Sequence, residues 1–188
     1  MAGHRFNPER AHKLHSPERL KLLPPETVVQ KLGVTRGETV ADLGAGSGYF
    51  TLPLAQATEQ TVYAVDIEPK MLVHLQERAT AARADNIAYV ESDLEHIQLA
   101  THAVDKVIAA FVLHEVADLA QAFAEIKRIM KPDGRALVLE WMKKETESGP
   151  PLGERIPVET FAERAQSAGF RTDVFYPNEQ HYGLVLSL

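Results

Sequence analysis

The sequence predicts an α/β protein built on a Rossmann-like, doubly wound sheet of seven mostly parallel strands that ends in an antiparallel hairpin. Three observations carry this expectation. Short β-rich apolar runs alternate with longer stretches of helical periodicity, the pattern of a parallel sheet covered by helices. Several of the runs are almost continuously apolar, as strands buried on both faces must be. The last two runs are separated only by a short turn around Pro177 and Asn178, too short for a parallel crossover, so they are expected to pair antiparallel.

Taken in order, strands are expected at 39–43, 61–66, 87–91, 104–111, 135–141, 171–176 and 181–186. Helices are expected at 47–57, 70–83, 119–130 and 158–168, the third reading apolar at Leu119, Ala122, Phe123, Ile126 and Ile129. A polar arm, residues 1–24, leads into a further helix from about Pro25 to Lys31, with proline at its start and Gly33 as its stop. Residues 1–188 read as one domain, an arm followed by a core over 25–188. Lys131, Pro132, Asp133 and Gly134 are expected to form a turn feeding the fifth strand, at the edge away from ligands. Pro53 falls beyond the first turn of the helix expected at 47–57, where proline kinks or shortens a helix.

Composition narrows the classes of function. Of 188 residues, 26 are acidic and 20 basic, a formal net charge of −6 that argues against a nucleic-acid partner. Hydrophobic residues make up 45% and charged ones 24%, the balance of a chain that can fill a core. The absence of cysteine removes disulfides, thiolate metal sites and cysteine nucleophiles together, and agrees with a cytoplasmic location. No apolar run reaches signal-peptide or membrane-span length, so no membrane insertion is expected. His12 and His15 have the spacing of a metal pair without further ligands nearby, and no metal is expected.

The densest chemical signal is the stretch Asp42-Leu43-Gly44-Ala45-Gly46-Ser47-Gly48-Tyr49, a strand end, three alternating glycines and the approach to a helix. Glycine lets backbone approach a ligand closely, and a helix N-terminus offers unpaired N–H groups. The dinucleotide fingerprint would need glycine where Tyr49 stands, which argues against a nicotinamide-dependent oxidoreductase. Asp66 ends the second strand near the roughly 20-residue offset at which a carboxylate meets ribose hydroxyls. A nucleoside-containing cofactor follows from loop and acid together.

These residues, with Ser92-Asp93-Leu94 after the third strand and Lys131-Pro132-Asp133-Gly134 before the fifth, make the chain resemble the class I S-adenosylmethionine-dependent methyltransferases from about Pro25 to its C-terminus. Within that class it looks most like the small type-11 and quinone-biosynthesis C-methyltransferases, through Val138-Leu139-Glu140-Trp141 and residues 111–116. The resemblance implies S-adenosyl-L-methionine as cofactor and a small-molecule methyl acceptor. It also implies roles: Asp42 near the ammonium, and Gly44, Ala45, Gly46 and Gly48 around the methionine part. Asp66 would serve the ribose hydroxyls, Ile67 the adenine face, Asp93 and Leu94 the adenine edge, and Phe111 the methionine side. Asp93 would equally suit a turn cap.

Methyl transfer from a sulfonium is an in-line displacement that demands positioning and exclusion of water before any catalytic group. Where the acceptor must lose a proton, His114, with Glu115 beside it, is the candidate base, although a histidine bonding locally reads the same. Glu140 and Trp141 end the fifth strand on the same edge, one suited to polar recognition and one to an apolar wall. Residues 143–155, interrupted by Gly149, Pro150, Pro151 and Gly153, are expected to form a mobile cover. The arm, with Phe6, His12 and His15, is a second candidate cover. A module that binds the cofactor without turning it over would carry the same loop and acids.

Overall fold

A computed structural model of the protein describes residues 15–188. Phe6 and His12 lie outside the described residues. Seven strands, β1 (Val40–Leu43), β2 (Val62–Asp66), β3 (Ile87–Glu91), β4 (Val104–Ala110), β5 (Met130–Trp141), β6 (Arg171–Phe175) and β7 (His181–Ser187), form one sheet. Their order is β3-β2-β1-β4-β5-β7-β6, with β7 antiparallel to both neighbours and β1 to β5 parallel. The chain steps outward from β1 through β2 to β3, then returns to its other side with β4. The carboxyl ends of β1 and β4 therefore flank the topological switch point, where open α/β sheets hold ligands.

Among the described residues, six α-helices, α1 (Pro17–Leu22), α2 (Pro25–Leu32), α3 (Thr51–Ala57), α4 (Pro69–Ala82), α5 (Leu119–Ile129) and α6 (Val158–Ser167), flank the sheet. α2 and α3 pack through Val28, Leu32 and Leu54 against Val40, Ile108, Leu137 and Leu139. On the opposite face, Phe123 and Ile126 of α5 and Phe161 of α6 meet Val107, Val138 and Leu184. Every β1 side chain is buried, which is why that strand reads as an unbroken apolar run save for Asp42. α2 ends on Gly33 in the left-handed region at φ 72, the stop expected from the sequence.

Two local expectations are corrected. Residues 47–50 form turns, so α3 starts at Thr51, and Pro53 is its third residue, where a missing N–H breaks no helical bond. The helix is four residues shorter at its N-terminal end than the expected 47–57. Lys131 to Gly134 do not form a separate turn but a bulge within β5. Val104 pairs with Met130 and Lys106 with Arg135, so β5 advances five residues while β4 advances two. Lys131 Nζ holds the bulge at 2.8 Å from both carboxylate oxygens of Asp105. β4 closes at Ala110, leaving Phe111 just beyond the strand end.

Candidate active site

The glycine loop leaves β1 and turns back onto β2. Gly44 and Ala45 donate their N–H groups to Val65 O at 2.8 and 3.0 Å, and Gly46 donates to Asp66 Oδ2 at 2.7 Å. Gly44, Gly46 and Gly48 all adopt positive φ, at 70, 53 and 88. Neighbours within the protein also require glycine at two of these positions. A Cβ on Gly44 would lie 2.6 Å from Val112 Cγ2, and one on Gly48 would collide with Leu75.

Asp42 is 2% exposed and accepts the Thr51 hydroxyl at 2.6 Å. Burial first, and then the charge of Asp66, push its carboxyl up to about 7, against the hydrogen bond from Thr51. Asp66 is half-buried, takes N–H donors from Gly46 on one oxygen and Glu68 on the other at 2.9 Å, and is likewise raised, chiefly by burial. No basic side chain among the described residues forms an ion pair with either acid. The notch between β1 and β2 is thus acidic and short of water, a place that a cation relieves.

Ile67, immediately after Asp66, is 40% exposed, an apolar side chain left open at the strand end. Asp93 caps a turn by accepting Glu95 N–H at 2.9 Å and lies 3.5 Å from His96 Nδ1. The Leu94 side chain is buried in the core, and Ala45 packs with Ala64, Leu72 and Leu75.

At the ends of β4 and β5 the candidate catalytic residues come together. His114 Nδ1 lies 2.8 Å from Glu140 Oε2 with the two side chains only 5% and 3% exposed, and His114 Nε2 lies 3.9 Å from Glu115 Oε1. Burial disfavours the imidazolium, but Glu140, Glu115 and Glu154 together outweigh it, so the His114 pKa is raised. Phe111 sits at φ 59, a left-handed conformation that a bulky side chain adopts only when its surroundings hold it there. Its ring lies 5.5 Å from Trp141 and 4.8 Å from His181.

His181, which the sequence reading did not single out, packs with Phe111 and Trp141 at this edge. Its signal was a histidine opening an apolar strand on the ligand edge, opposite Trp141 in the β5–β7 register. Arg19 was missed as well; its guanidinium stacks 4.4 Å from the Tyr49 ring and 5.5 Å from Phe111.

Both flanking segments lie over this edge. The arm's α1 is held by the Tyr49 hydroxyl donating to Leu23 O at 2.7 Å, by Asn178 Nδ2 donating to Leu22 O at 3.0 Å, and by a 2.9 Å bond between His15 Nε2 and Ser47 Oγ. After β5, buried Arg155 donates to the carbonyls of Pro150, Met142, Lys144 and Ser148 and to the Thr146 hydroxyl. Among the described residues no group of three or more potential ligands is placed to hold a metal, and no helix is long and apolar enough to cross a membrane.

A doubly wound sheet with antiparallel β7, and paired acids beside a glycine loop at the switch point, define the class of protein: a Rossmann-like, class I methyltransferase fold. A family model described as a methyltransferase domain matches residues 41–138, and the chain belongs to that family, the type-11 group of S-adenosylmethionine-dependent methyltransferases. It is 35% identical over 114 residues to a ubiquinone/menaquinone biosynthesis C-methyltransferase of Haemophilus ducreyi, a match covering 59% of this chain and 44% of that relative. The chain spans less than half the length of such curated relatives. Among solved structures, a SAM-dependent methyltransferase from Aquifex aeolicus is 29% identical with a TM-score of 0.91, covering 97% of this chain and 98% of the other. A putative type 11 methyltransferase from Sulfolobus solfataricus is 28% identical with a TM-score of 0.66, covering 93% and 92%.

Proposed function

We propose that the chain transfers the methyl group of S-adenosylmethionine to a small organic acceptor seated over the ends of β4 and β5, and that the reacting atom is a nucleophilic ring carbon of a hydroxylated, hydroquinone-type ring. The observation that carries this reading is the buried His114–Glu140 pair at that edge. The similarity to quinone-biosynthesis C-methyltransferases supports the ring carbon.

The cofactor fits the residues present. Its ammonium and sulfonium are the cations that the acids of the β1–β2 notch lack, and its ribose hydroxyls are donors for the lone pairs Asp66 keeps beyond its two backbone bonds. Ile67 offers an apolar face for a purine. When bound, the cofactor supplies an electrophilic methyl group and leaves as a neutral thioether. The residues' work is to hold the acceptor in line and dry. A ring carbon that gains a methyl group must shed its proton, and neutral His114 accepts it at Nε2, while Glu140 fixes the ring through Nδ1.

Calorimetric titration with S-adenosylmethionine and its demethylated product, with a nicotinamide dinucleotide as control, tests the cofactor. Micromolar binding of the first pair alone is expected. Radiolabel transfer to a panel of hydroxylated rings and other small metabolites then tests the acceptor. A cofactor-bound protein that labels none of them would be a binding module.

A further inference from the structure

β7 opens on a histidine that the rest of the described protein leaves unsatisfied. His181 is 3% exposed, and neither ring nitrogen has a hydrogen-bond partner. Buried polar atoms are nearly always paired, so two orphaned nitrogens on one side chain mark a place built for something else. The imidazole is packed edge-on to Trp141 with centroids 4.4 Å apart and tilted against Phe111 at 4.8 Å. All three residues stand at the strand ends beside the His114–Glu140 pair; His181 and Trp141 have no part in the steps assigned to that pair or to the cofactor, and Phe111, set on the methionine side by the resemblance, borders both.

We propose that His181, Trp141 and Phe111 form the acceptor slot, in which a flat, uncharged, hydroxylated ring lies against the aromatic side chains and supplies the hydrogen bonds that the imidazole nitrogens lack. The inference rests on reading this edge as the acceptor side of a methyltransferase. Burial foremost, and then Arg19 and Arg155 nearby, push the His181 pKa down to about 4, so the ring is neutral and presents one donor and one acceptor. A hydroxyl, which also donates and accepts, is its natural complement.

Charge at the slot selects against a cationic acceptor. The Arg19 guanidinium over Phe111 repels an ammonium. In this structure the three rings close on one another and Arg19 covers Phe111, so the slot opens as α1 shifts.

Trp141 is the sole tryptophan of the chain, so its fluorescence reports the slot directly. The protein saturated with the demethylated cofactor is titrated with resorcinol, with cyclohexane-1,3-diol as the non-planar control. Resorcinol is expected to quench Trp141 saturably and the diol is not. His181→Phe, which keeps the packing and removes the nitrogens, is expected to weaken resorcinol about tenfold, and His181→Gln less, with calorimetric affinity for the demethylated cofactor unchanged in both. If His181→Phe does not fold, His181→Gln and the imidazole nitrogen resonances of the unaltered protein decide, since both nitrogens should shift with resorcinol.

Equal resorcinol affinity in the folded His181→Phe protein, unmoved nitrogen resonances, or equal quenching by the diol would overturn the assignment. Absence of saturable quenching in a protein that binds the demethylated cofactor would overturn the slot and leave the cofactor reading intact. Failure to bind that cofactor would instead strike the reading beneath it, and resorcinol quenching without cofactor would still decide for or against the slot.

Discussion

His114 is gripped twice by one carboxylate: Glu140 Oε2 lies 2.8 Å from its Nδ1, and Glu140 Oε1 accepts its backbone N–H at 3.2 Å. The pair joins β5 to the loop after β4 at the edge where the acceptor is proposed to sit. Because the folded pKa of His114 is raised above the unfolded value near 6.5, the interaction stabilises the fold fully below that pH and is lost as pH rises through the folded value. Glu140→Gln is therefore expected to cost about 1 to 3 kcal/mol near pH 6, with the deficit shrinking in alkali, as urea unfolding at both pH values would measure. In turnover, the acid limb of the pH profile should move to lower pH in this variant, because neutral His114 becomes easier to form. An unmoved limb would remove His114 from proton transfer.

Asp42 makes a linkage of the same sign over a lower pH range. Its pKa is raised to about 7 by burial, so ionising it costs the cofactor-free fold stability as pH rises from the unfolded carboxylate value toward 7. Asp42→Asn keeps an acceptor for Thr51 and should stabilise the free protein by about 1 to 3 kcal/mol at pH 8. The same change should weaken cofactor affinity. In the unaltered protein, cofactor binding should release a proton below pH 7, visible as a buffer-dependent binding enthalpy.

The parts of the fold that were legible in the sequence are those fixed by local pattern. Apolar runs marked the strands, Gly33 marked the end of α2, and the short 176–180 connection marked the antiparallel pair. The glycine loop and Asp66 were legible because their spacing is set within one βαβ unit. What escaped depends on residues far apart in the chain. Pro53 looked misplaced because nothing local says that residues 47–50 stay in turns. The bulge at Lys131 is held by Asp105, which lies 26 residues earlier. His181 gains its meaning only from Phe111 and Trp141, which the sheet order brings to it, and a lone histidine in a sequence carries no record of missing partners.

Gly44 illustrates a residue legible for one reason and required for another. It stands at φ 70 with Val112 Cγ2 at 2.6 Å from any added Cβ, so Gly44→Ala carries both a left-handed penalty and a collision. We expect a loss of about 2 to 4 kcal/mol by chemical denaturation. Adding Val112→Gly, which also removes the Val112 Cβ 2.7 Å from the added one, should recover the collision part and leave the backbone part. Full recovery of cofactor affinity in the double variant would show that Gly44 serves the loop's packing and not a close approach of the ligand.

Tyr49 stands where a dinucleotide fold would have glycine, and its hydroxyl donates to Leu23 O at 2.7 Å while its ring carries the Arg19 guanidinium. Removing the hydroxyl in Tyr49→Phe keeps the ring and its cation contact but frees one carbonyl of the arm. A cost of about 1 kcal/mol confined to residues 15–23 is expected, seen as faster hydrogen exchange there without a comparable change in β1 or β4. Exchange that accelerated across the sheet would make Tyr49 a core residue and not an anchor for the arm.

Arg155 decides what kind of cover follows β5. A segment rich in glycine and proline was expected to be mobile, yet the guanidinium, 5% exposed and 5.3 Å from the Trp141 ring, is bonded to five oxygens of residues 142–150. Only a planar fork can reach carbonyls on several sides at once, so lysine cannot replace it. Arg155→Lys should leave most of those carbonyls unpaired and loosen residues 142–150, with proteolysis between 143 and 150 accelerating and Trp141 emission moving to longer wavelength. Because the glycine loop and Asp66 stand on other elements, cofactor affinity should stay within about threefold of the unaltered protein while acceptor turnover falls. A variant that loosened the loop without slowing turnover would make the segment a bystander; one that lost cofactor affinity as well would place its influence across the whole cleft.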